Sequence, residues 1–575
     1  MTSIKTLLAT ASLCLLAACA TVPQEQQPLS DVEFSFEQPT SSYGLFLAGN
    51  AALHDGKSQE AADYFMRATA GGSMDGGFLK ERAFTAALLA GDVSKAASLA
   101  PGGEGGGAAA YRLGLLVKAV ESLAIGKGKD ARMVLTSETI GFPHRAAAAL
   151  LAPWAAASAG DTEDSFVRPE VPGDKVVEYF GQLGQAFLFE RARRFDEAET
   201  DFKALAALDA AGLFTLDYGA FLERRGRHAD ALALYDAALL EAPDDRELVT
   251  ARARAATRRN APPLPSVREG AARALIAPAA AMIAEKQAEL ALSYLQLALR
   301  LDPKRDEAWV LVGDVMAGVG DPDAARDAYA RVAVGSPNYS GARAKMAWTY
   351  QQAGDEEQAL KLASEAVAAD PGDRNAAITE ADLLRVNERY AEAATVLDAL
   401  IAEDGAQPDW RLLYMRGVAL ERSGRWEEAE KDLTRALAQQ PNEPELLNYL
   451  GYTWIDRGER LGEAMEMVRK ASDANPRSGA MIDSLGWAYY RLGNYKEAVE
   501  KLERAVELEP ADPEINNHLG DAYWRVGRRI EAEFQWRRVL TLEPNDSTRV
   551  SVDEKLKSGL GAPAPVPTGQ IVAER

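Results

Sequence analysis

The sequence predicts an all-α fold, a solenoid of antiparallel helix pairs, on three observations. Leu450-Gly451-Tyr452 returns as Leu485-Gly486-Trp487 and again as Leu519-Gly520-Asp521, with the glycines 35 and then 34 residues apart. Each unit runs on to an alanine (Ala464, Ala498, Ala532) and closes on a proline (Pro476, Pro510, Pro544), both sets spaced by 34. The same interval separates Pro303, Pro337 and Pro371. A fixed period of this size marks one supersecondary unit stacked on copies of itself. The chain has 575 residues, more than one compact core holds, and a solenoid has no such limit.

Each position of the unit has a physical reason. Gly486 carries no side chain, so helix A can approach helix B closely, and Ala498 does the same from helix B. Leu485 and Tyr489 share a helix face at i and i+4 and fill the space between helices. Gly493 suits the left-handed residue that ends helix A. Pro510 stops helix B, having no N–H and disfavouring helix in the residue before it. This order of Leu-Gly, aromatic, Gly, Ala and Pro resembles the tetratricopeptide (TPR) repeat. The resemblance implies a TPR α-solenoid that winds as a right-handed superhelix.

The N-terminus reads as a processing segment. Lys5 precedes an apolar run from Leu7 to Ala18, shorter than a membrane-spanning helix needs. Residues 1–18 are therefore expected to be a signal peptide. The run ends in Leu16-Ala17-Ala18-Cys19, which resembles a bacterial lipobox. That resemblance implies cleavage before Cys19 and a covalent lipid on it; an ordinary signal peptide with an incidental Cys is the other reading. Ala20 after the Cys implies, by the same resemblance, the outer membrane of a Gram-negative bacterium and a periplasm-facing body. Residues 19–41 are polar and proline-containing and read as a tether, or as a loop packed on the first repeat.

Residues 42–259 read as an N-terminal solenoid of degenerate repeats. Gly49, Gly56, Ala61, Phe65 and Ala68 fit the unit, Gly91 with Ala96 and Gly126 with Ala131 mark two more, and Arg145 to Gly160 reads as a further helix pair. Pro101 to Gly107 is a connector without the Gly-Lys-Ser/Thr of a phosphate loop. Phe195, Ala198 and Phe202 follow, then a clear unit from Gly219 to Pro243. The period then breaks, since Pro243 and Pro303 are 60 residues apart. The break coincides with Pro262-Pro263-Leu264-Pro265, which cannot be helical. Residues 260–270 are read as a Pro-rich break between two blocks, or as one long loop in a single superhelix. The preceding basic helix (Arg252, Arg254, Arg258, Arg259) is a solvated face or an anion-binding patch. Residues 271–550 read as the C-terminal solenoid and 551–575 as a disordered tail rich in Pro. About a dozen to fourteen helix pairs result.

Composition narrows the function. A net charge of −22 argues against a general nucleic-acid binder. The two cysteines, Cys14 and Cys19, both lie in the first twenty residues, so the body has no thiol chemistry. The four histidines (His54, His144, His228, His518) show no His-Glu-x-x-His or related metal spacing and read as surface or packing residues. No nucleophile elbow is present, and no metal or cofactor is implied beyond the lipid on Cys19. The expectation is a chain that is not an enzyme.

In the TPR family the concave groove is lined by helix A. Applied residue by residue, that resemblance places Arg411, Tyr414, Asn448, Tyr452, Asp483, Trp487, Tyr490, Arg491, Asn517, Asp521, Trp524 and Arg525 in the groove of the last four units. Tyr, Trp and Arg are what binding hot spots favour, and Asn can bond an extended peptide backbone. Packing against the next helix A is the other reading of Trp487 and Trp524; Trp454 and Trp536 fall at packing positions.

Three stretches carry a narrower resemblance: Leu447-Asn448-Tyr449-Leu450-Gly451-Tyr452, Asp483-Ser484-Leu485-Gly486-Trp487-Ala488-Tyr489-Tyr490, and His518-Leu519-Gly520-Asp521-Ala522-Tyr523-Trp524-Arg525. They resemble the C-terminal block of a proteobacterial TPR outer-membrane lipoprotein family. A member of that family partners a periplasmic carboxyl-terminal processing protease and presents it with peptidoglycan hydrolases. The resemblance implies a scaffold or adaptor with protein partners of that kind. An assembly or secretion factor for envelope polymers or outer-membrane proteins is the alternative. A TPR-fused enzyme is a third, against which stands the short stretch of about thirty residues after Pro544.

Overall fold

The computed structural model describes residues 41–562 apart from 71–75, 104–107, 136–139, 209–212 and 244. Cys19, the expected tether before Ser41 and the Pro-rich end of the tail lie outside the described residues. Within them the chain forms thirty helices, α1 (Ser42–His54) to α30 (Asp546–Ser558), and no strand. Twenty-six of them group as thirteen antiparallel pairs, with α7 (Arg145–Ala159), the one-turn α8 (Thr162–Ser165), α13 (Arg246–Ala256) and α30 outside the pairs.

The unit packs as its sequence requires. A Cβ added at Gly486 would come 2.7 Å from Leu502, and one at Gly520 would come 2.6 Å from the Trp536 ring. Gly493 takes φ 83°, the left-handed conformation that ends α26 (Gly479–Arg491). Trp454 and Trp536 are fully buried, as their packing positions predict.

The break is one of helix period and not of core. No helix runs from Thr257 to Ser266. Helix α14 (Val267–Ala284) starts four residues before the expected block boundary, because Ser266 and Glu269 close a capping box. One buried apolar cluster extends from Leu45 to Ala328, across the break. The pair α14 and α15 (Ala288–Leu301) packs against α3 (Gly76–Leu89), α5 (Ala108–Ala124), α7 (Arg145–Ala159) and α9 (Lys175–Arg191). Those four are the first helices of their units, so the pair lies along the inner face of the N-terminal repeats. Trp154 of α7 lies where a Cβ on Gly270 would be, at 2.1 Å. Arg273 and Asp217 form a bidentate ion pair at 2.8 Å, and Arg300 donates to Glu121 at 2.8 Å. Arg191 and Arg224 donate to the carbonyls of Pro265 and Pro262, holding the proline segment down.

Other expectations are corrected. Arg145 to Gly160 is not a helix pair but one helix, followed only by Thr162–Ser165, because α14 supplies the missing partner. Of the basic residues, Arg252 pairs with Asp236 and Arg254 with Glu223, which leaves the solvated-face reading standing, and Arg258 and Arg259 lie beyond the end of α13 and are exposed. Ser41 belongs to the body, since its side chain accepts from Gly44 N and caps α1. The C-terminal tail is helical as far as Ser558, with Val552 buried.

Candidate functional site

The expected groove residues lie on the first helices of the last units. Three are α24 (Pro444–Arg457), α26 and α28 (Pro513–Arg525). In the middle of this face the structure brings several of them into one band. The Tyr452 hydroxyl donates to Glu514 at 2.7 Å, reaching from α24 to α28. Burial, together with that carboxylate, pushes its pKa upward, so Tyr452 stays a donor. The Trp487 ring is stacked between Tyr490 (4.6 Å between centroids, 6° between planes) and His518 (4.0 Å, 16°). Asp483, buried beside it, accepts from His518 Nδ1 at 2.9 Å. Burial opposes a charged imidazole, and the Asp483 carboxylate overrides it, so the pKa of His518 is raised. The pair thus fixes the His518 ring, through its bond to Asp483, face to face with Trp487. Tyr490 accepts from Arg525 Nε at 3.1 Å and extends the band to the next unit.

The remaining residues divide into those that line the open face and those that are covered. Arg411 is exposed, its guanidinium 4.7 Å from the Trp410 ring, and Tyr414 meets Tyr449 edge-on at 5.8 Å. Asn448 keeps an acceptor oxygen, and Trp487 a donor N–H, that are buried without hydrogen-bond partners. Arg491 donates to the Asp456 carbonyl and carboxylate at 2.8 and 3.0 Å. The four residues expected from the last unit are covered by the chain's own C-terminus, which corrects their reading as open groove. Lys555 of α30 donates to Asn517 at 2.8 Å and to Asp521 at 2.9 Å. Asp521 also accepts from Trp536 Nε1. Arg525 donates to the Gly561 carbonyl at 2.6 Å, and Trp524 packs against Gly559.

Sequence reading missed His518, Glu514 and Lys555 as members of this face. The signal for His518 was present: it lies 35 residues after Asp483, one repeat, which sets the two side by side on adjacent first helices. Lys555 had no such signal, because α30 lies outside the repeat period.

Two further clefts, of about 550 and 650 Å³, lie where the N-terminal units meet α15, α16 (Asp306–Val319) and α17 (Pro322–Ala330). Asn50, His54, Arg82 and Leu292 line the first, Gln296 and Trp309 the second. They are mixed in charge and bring together no candidate predicted from sequence. Among the described residues no group of three or more His, Cys, Asp or Glu is placed to hold a metal ion. No helix among them is long and apolar enough to cross a membrane.

Comparison with known proteins places these helices in a repeat class. Models of the tetratricopeptide repeat match residues 183–246, 316–383, 350–416 and 414–478, and a TPR repeat model matches 486–527. A TPR repeat-containing protein of Pseudomonas aeruginosa is 36% identical over 116 residues, which make up 20% of this chain and 19% of that protein. The chain therefore spans about a fifth of that relative's length. Among solved structures, the APC/C hetero-tetramer Cut9–Hcn1 aligns at 16% identity over 90% of this chain and 96% of its own, with a TM-score of 0.39. A tetratricopeptide repeat protein from Parabacteroides merdae aligns at 15% identity over 44% and 97%, with a TM-score of 0.38. YrrB, described as a TPR protein with an unusual peptide-binding site, aligns at 22% identity over 29% and 86%, with a TM-score of 0.24.

Proposed function

Since the chain carries tetratricopeptide repeats stacked into an α-solenoid, we propose that it is a non-enzymatic protein-binding scaffold, held at the outer membrane by a lipid on Cys19. In this reading it presents polypeptides such as cell-wall hydrolases to a periplasmic carboxyl-terminal processing protease. The observation that carries it is the band on the C-terminal face. Tyr452, Trp487, Tyr490 and Arg491 lie together there, beside an Asn448 acceptor and a Trp487 donor without partners. Aromatic and Arg side chains supply binding energy. The two unmet polar atoms are buried, and a buried polar group left unmade costs about 1–3 kcal/mol, which favours an opening of the face that lets them meet the N–H and C=O of an extended backbone. Holding protease and substrate on one anchored body raises the effective concentration of each toward the other.

The test is affinity purification from detergent-solubilised envelopes, comparing the wild-type chain with Trp487→Ala and reading the partners by mass spectrometry. Trp524 is left intact because it holds the C-terminal turn. The expected result is a processing protease or cell-wall hydrolases with the wild type, lost or reduced at least tenfold with the variant while helicity is unchanged. Recovery of secretion or assembly machinery instead overturns the protease reading, and equal recovery with the variant overturns the site.

A further inference from the structure

The two ends of the solenoid are finished differently. The C-terminal end is closed by α30 and the Gly559 turn after it, which cover Asp521 and Trp524; its outer side mixes exposed apolar side chains (Val550, and Ile530 and Phe534 of the preceding helix) with the charged Asp546, Arg549, Glu554 and Lys557. An end unit has no further neighbour, so its outer face must meet water and is ordinarily polar. At the N-terminal end, α1 has the sequence SYGLFLAGNAALH, without one Asp, Glu, Lys or Arg. In a chain that is 26% charged, this is the helix where charge is most needed for solubility and none is present. Tyr43 is 63% exposed and Leu47, one turn on, 49%. Phe46 leans on Phe78 of α3, 5.7 Å between ring centroids, and Phe78 is itself 42% exposed.

We propose that this end face, formed by Tyr43, Leu47 and Phe78, seats on the lipid surface at the boundary of headgroups and acyl chains. The proposal rests on anchorage through Cys19, and the position of the face supports it. Cys19 and Ser41 are 22 residues apart. Fully extended, 22 residues reach about 80 Å at most, and α1 follows directly. An aromatic and aliphatic face on a helix that itself carries no charged side chain suits this boundary, where Tyr places its ring among acyl chains and its hydroxyl among headgroups. Three such side chains bind a bilayer weakly alone, and the anchor supplies the local concentration that makes weak contact sufficient. The proposal orients the molecule: the N-terminal units lie against the membrane and the C-terminal band is held away from it, open to partners.

The test uses a chain beginning at Cys19, in which Cys19 is the sole cysteine. Its thiol is coupled to maleimide-headgroup lipid in vesicles of phosphatidylethanolamine and phosphatidylglycerol. The coupling makes contact measurable whether or not the cell lipidates Cys19, which mass spectrometry of the envelope-extracted chain tests separately. The photo-crosslinking residue benzoylphenylalanine replaces Leu47 in one preparation and Lys557, exposed at the far end, in another. Lipid adducts at position 47 at least tenfold above those at 557 are the expected result. Equal adducts at the two positions overturn the proposal. So do crosslinked dimers, which assign the face to a second copy, and crosslinks from 47 into residues 20–40, which assign it to the preceding segment.

Discussion

His144 stands just before α7, at its N-cap, with 2% of its surface exposed and its Nδ1 2.9 Å from the hydroxyl of Tyr294 on α15. Burial, with the nearby Arg112 charge adding to it, lowers its pKa from 6.5 to about 4. The unfolded chain therefore binds a proton between those values that the folded chain refuses. The stability His144 contributes is complete above about 6.5 and is lost as pH falls toward 4, by up to roughly 3 kcal/mol at 1.36 kcal/mol per pH unit. His518 runs the other way. Its pKa is raised, so what it contributes is complete below about 6.5 and is lost as pH rises through the raised value. Hydrogen exchange across pH should therefore show the N-terminal units opening more readily in acid and the units around α26 and α28 in base. His144→Phe should flatten the first trend and Asp483→Asn the second; a trend that survives its variant rules that histidine out as its source. The glycines allow a finer comparison. A Cβ at Gly219 would meet the Tyr235 ring at 2.2 Å, and that ring is held by its hydroxyl's 2.9 Å bond to Glu223. At Gly486 the obstacle is the pliable Leu502 side chain at 2.7 Å. Overpacking costs about 1–3 kcal/mol. Gly219→Ala should fall at the upper end and Gly486→Ala at the lower, as read by thermal denaturation.

At the scale of elements, the α14–α15 pair is what the sequence left hidden. Its helices were legible: the Pro-rich break before it and the period resuming at Pro303 bound the pair in the chain. Its place was not. Periodicity reports which residues pair within a unit, through Gly-to-side-chain contacts such as Gly219 with Tyr235 and Gly486 with Leu502. It does not report which distant surface the pair then lies against. The contacts that decide this are single residues far apart in sequence: Trp154 with Gly270, Glu121 with Arg300, Asp217 with Arg273. The C-terminal face was more legible, because Asp483 and His518 are one repeat apart and adjacent units are neighbours in space. Its covering by Lys555 and Gly561 was not legible, since α30 follows no repeat. The pair also yields a prediction. Trp154→Ala removes the ring that Gly270 packs on, and such truncations cost about 3–5 kcal/mol. It should expose the 257–266 segment to limited proteolysis while leaving the C-terminal units protected. Equal resistance in the variant and the wild type would mean that this contact does not hold the pair in place.

Over the whole molecule, stability is unevenly distributed. The apolar cluster from Leu45 to Ala328 is one body, whereas the later units are held by smaller clusters, each built from neighbouring pairs. A solenoid whose units touch only their neighbours can be shortened between units. The N-terminal half breaks that rule, because α14 and α15 are buried against α3, α5, α7 and α9. A fragment comprising residues 267–562 would therefore carry the pair with its other half missing, leaving Gly270, Arg273 and Tyr294 without Trp154, Asp217 and His144. A fragment comprising residues 337–562 begins after the large cluster ends and keeps the smaller ones nearest the C-terminus intact. The shorter fragment should be monomeric and helical with a cooperative melt, and the longer one should aggregate or oligomerise, as read by light scattering and circular dichroism. The ordering is what matters: adding seventy residues of helical sequence should make the protein worse behaved. A longer fragment that stays monomeric at the same concentration would mean that the α14–α15 pair stands on its own, and that the two blocks are separable after all.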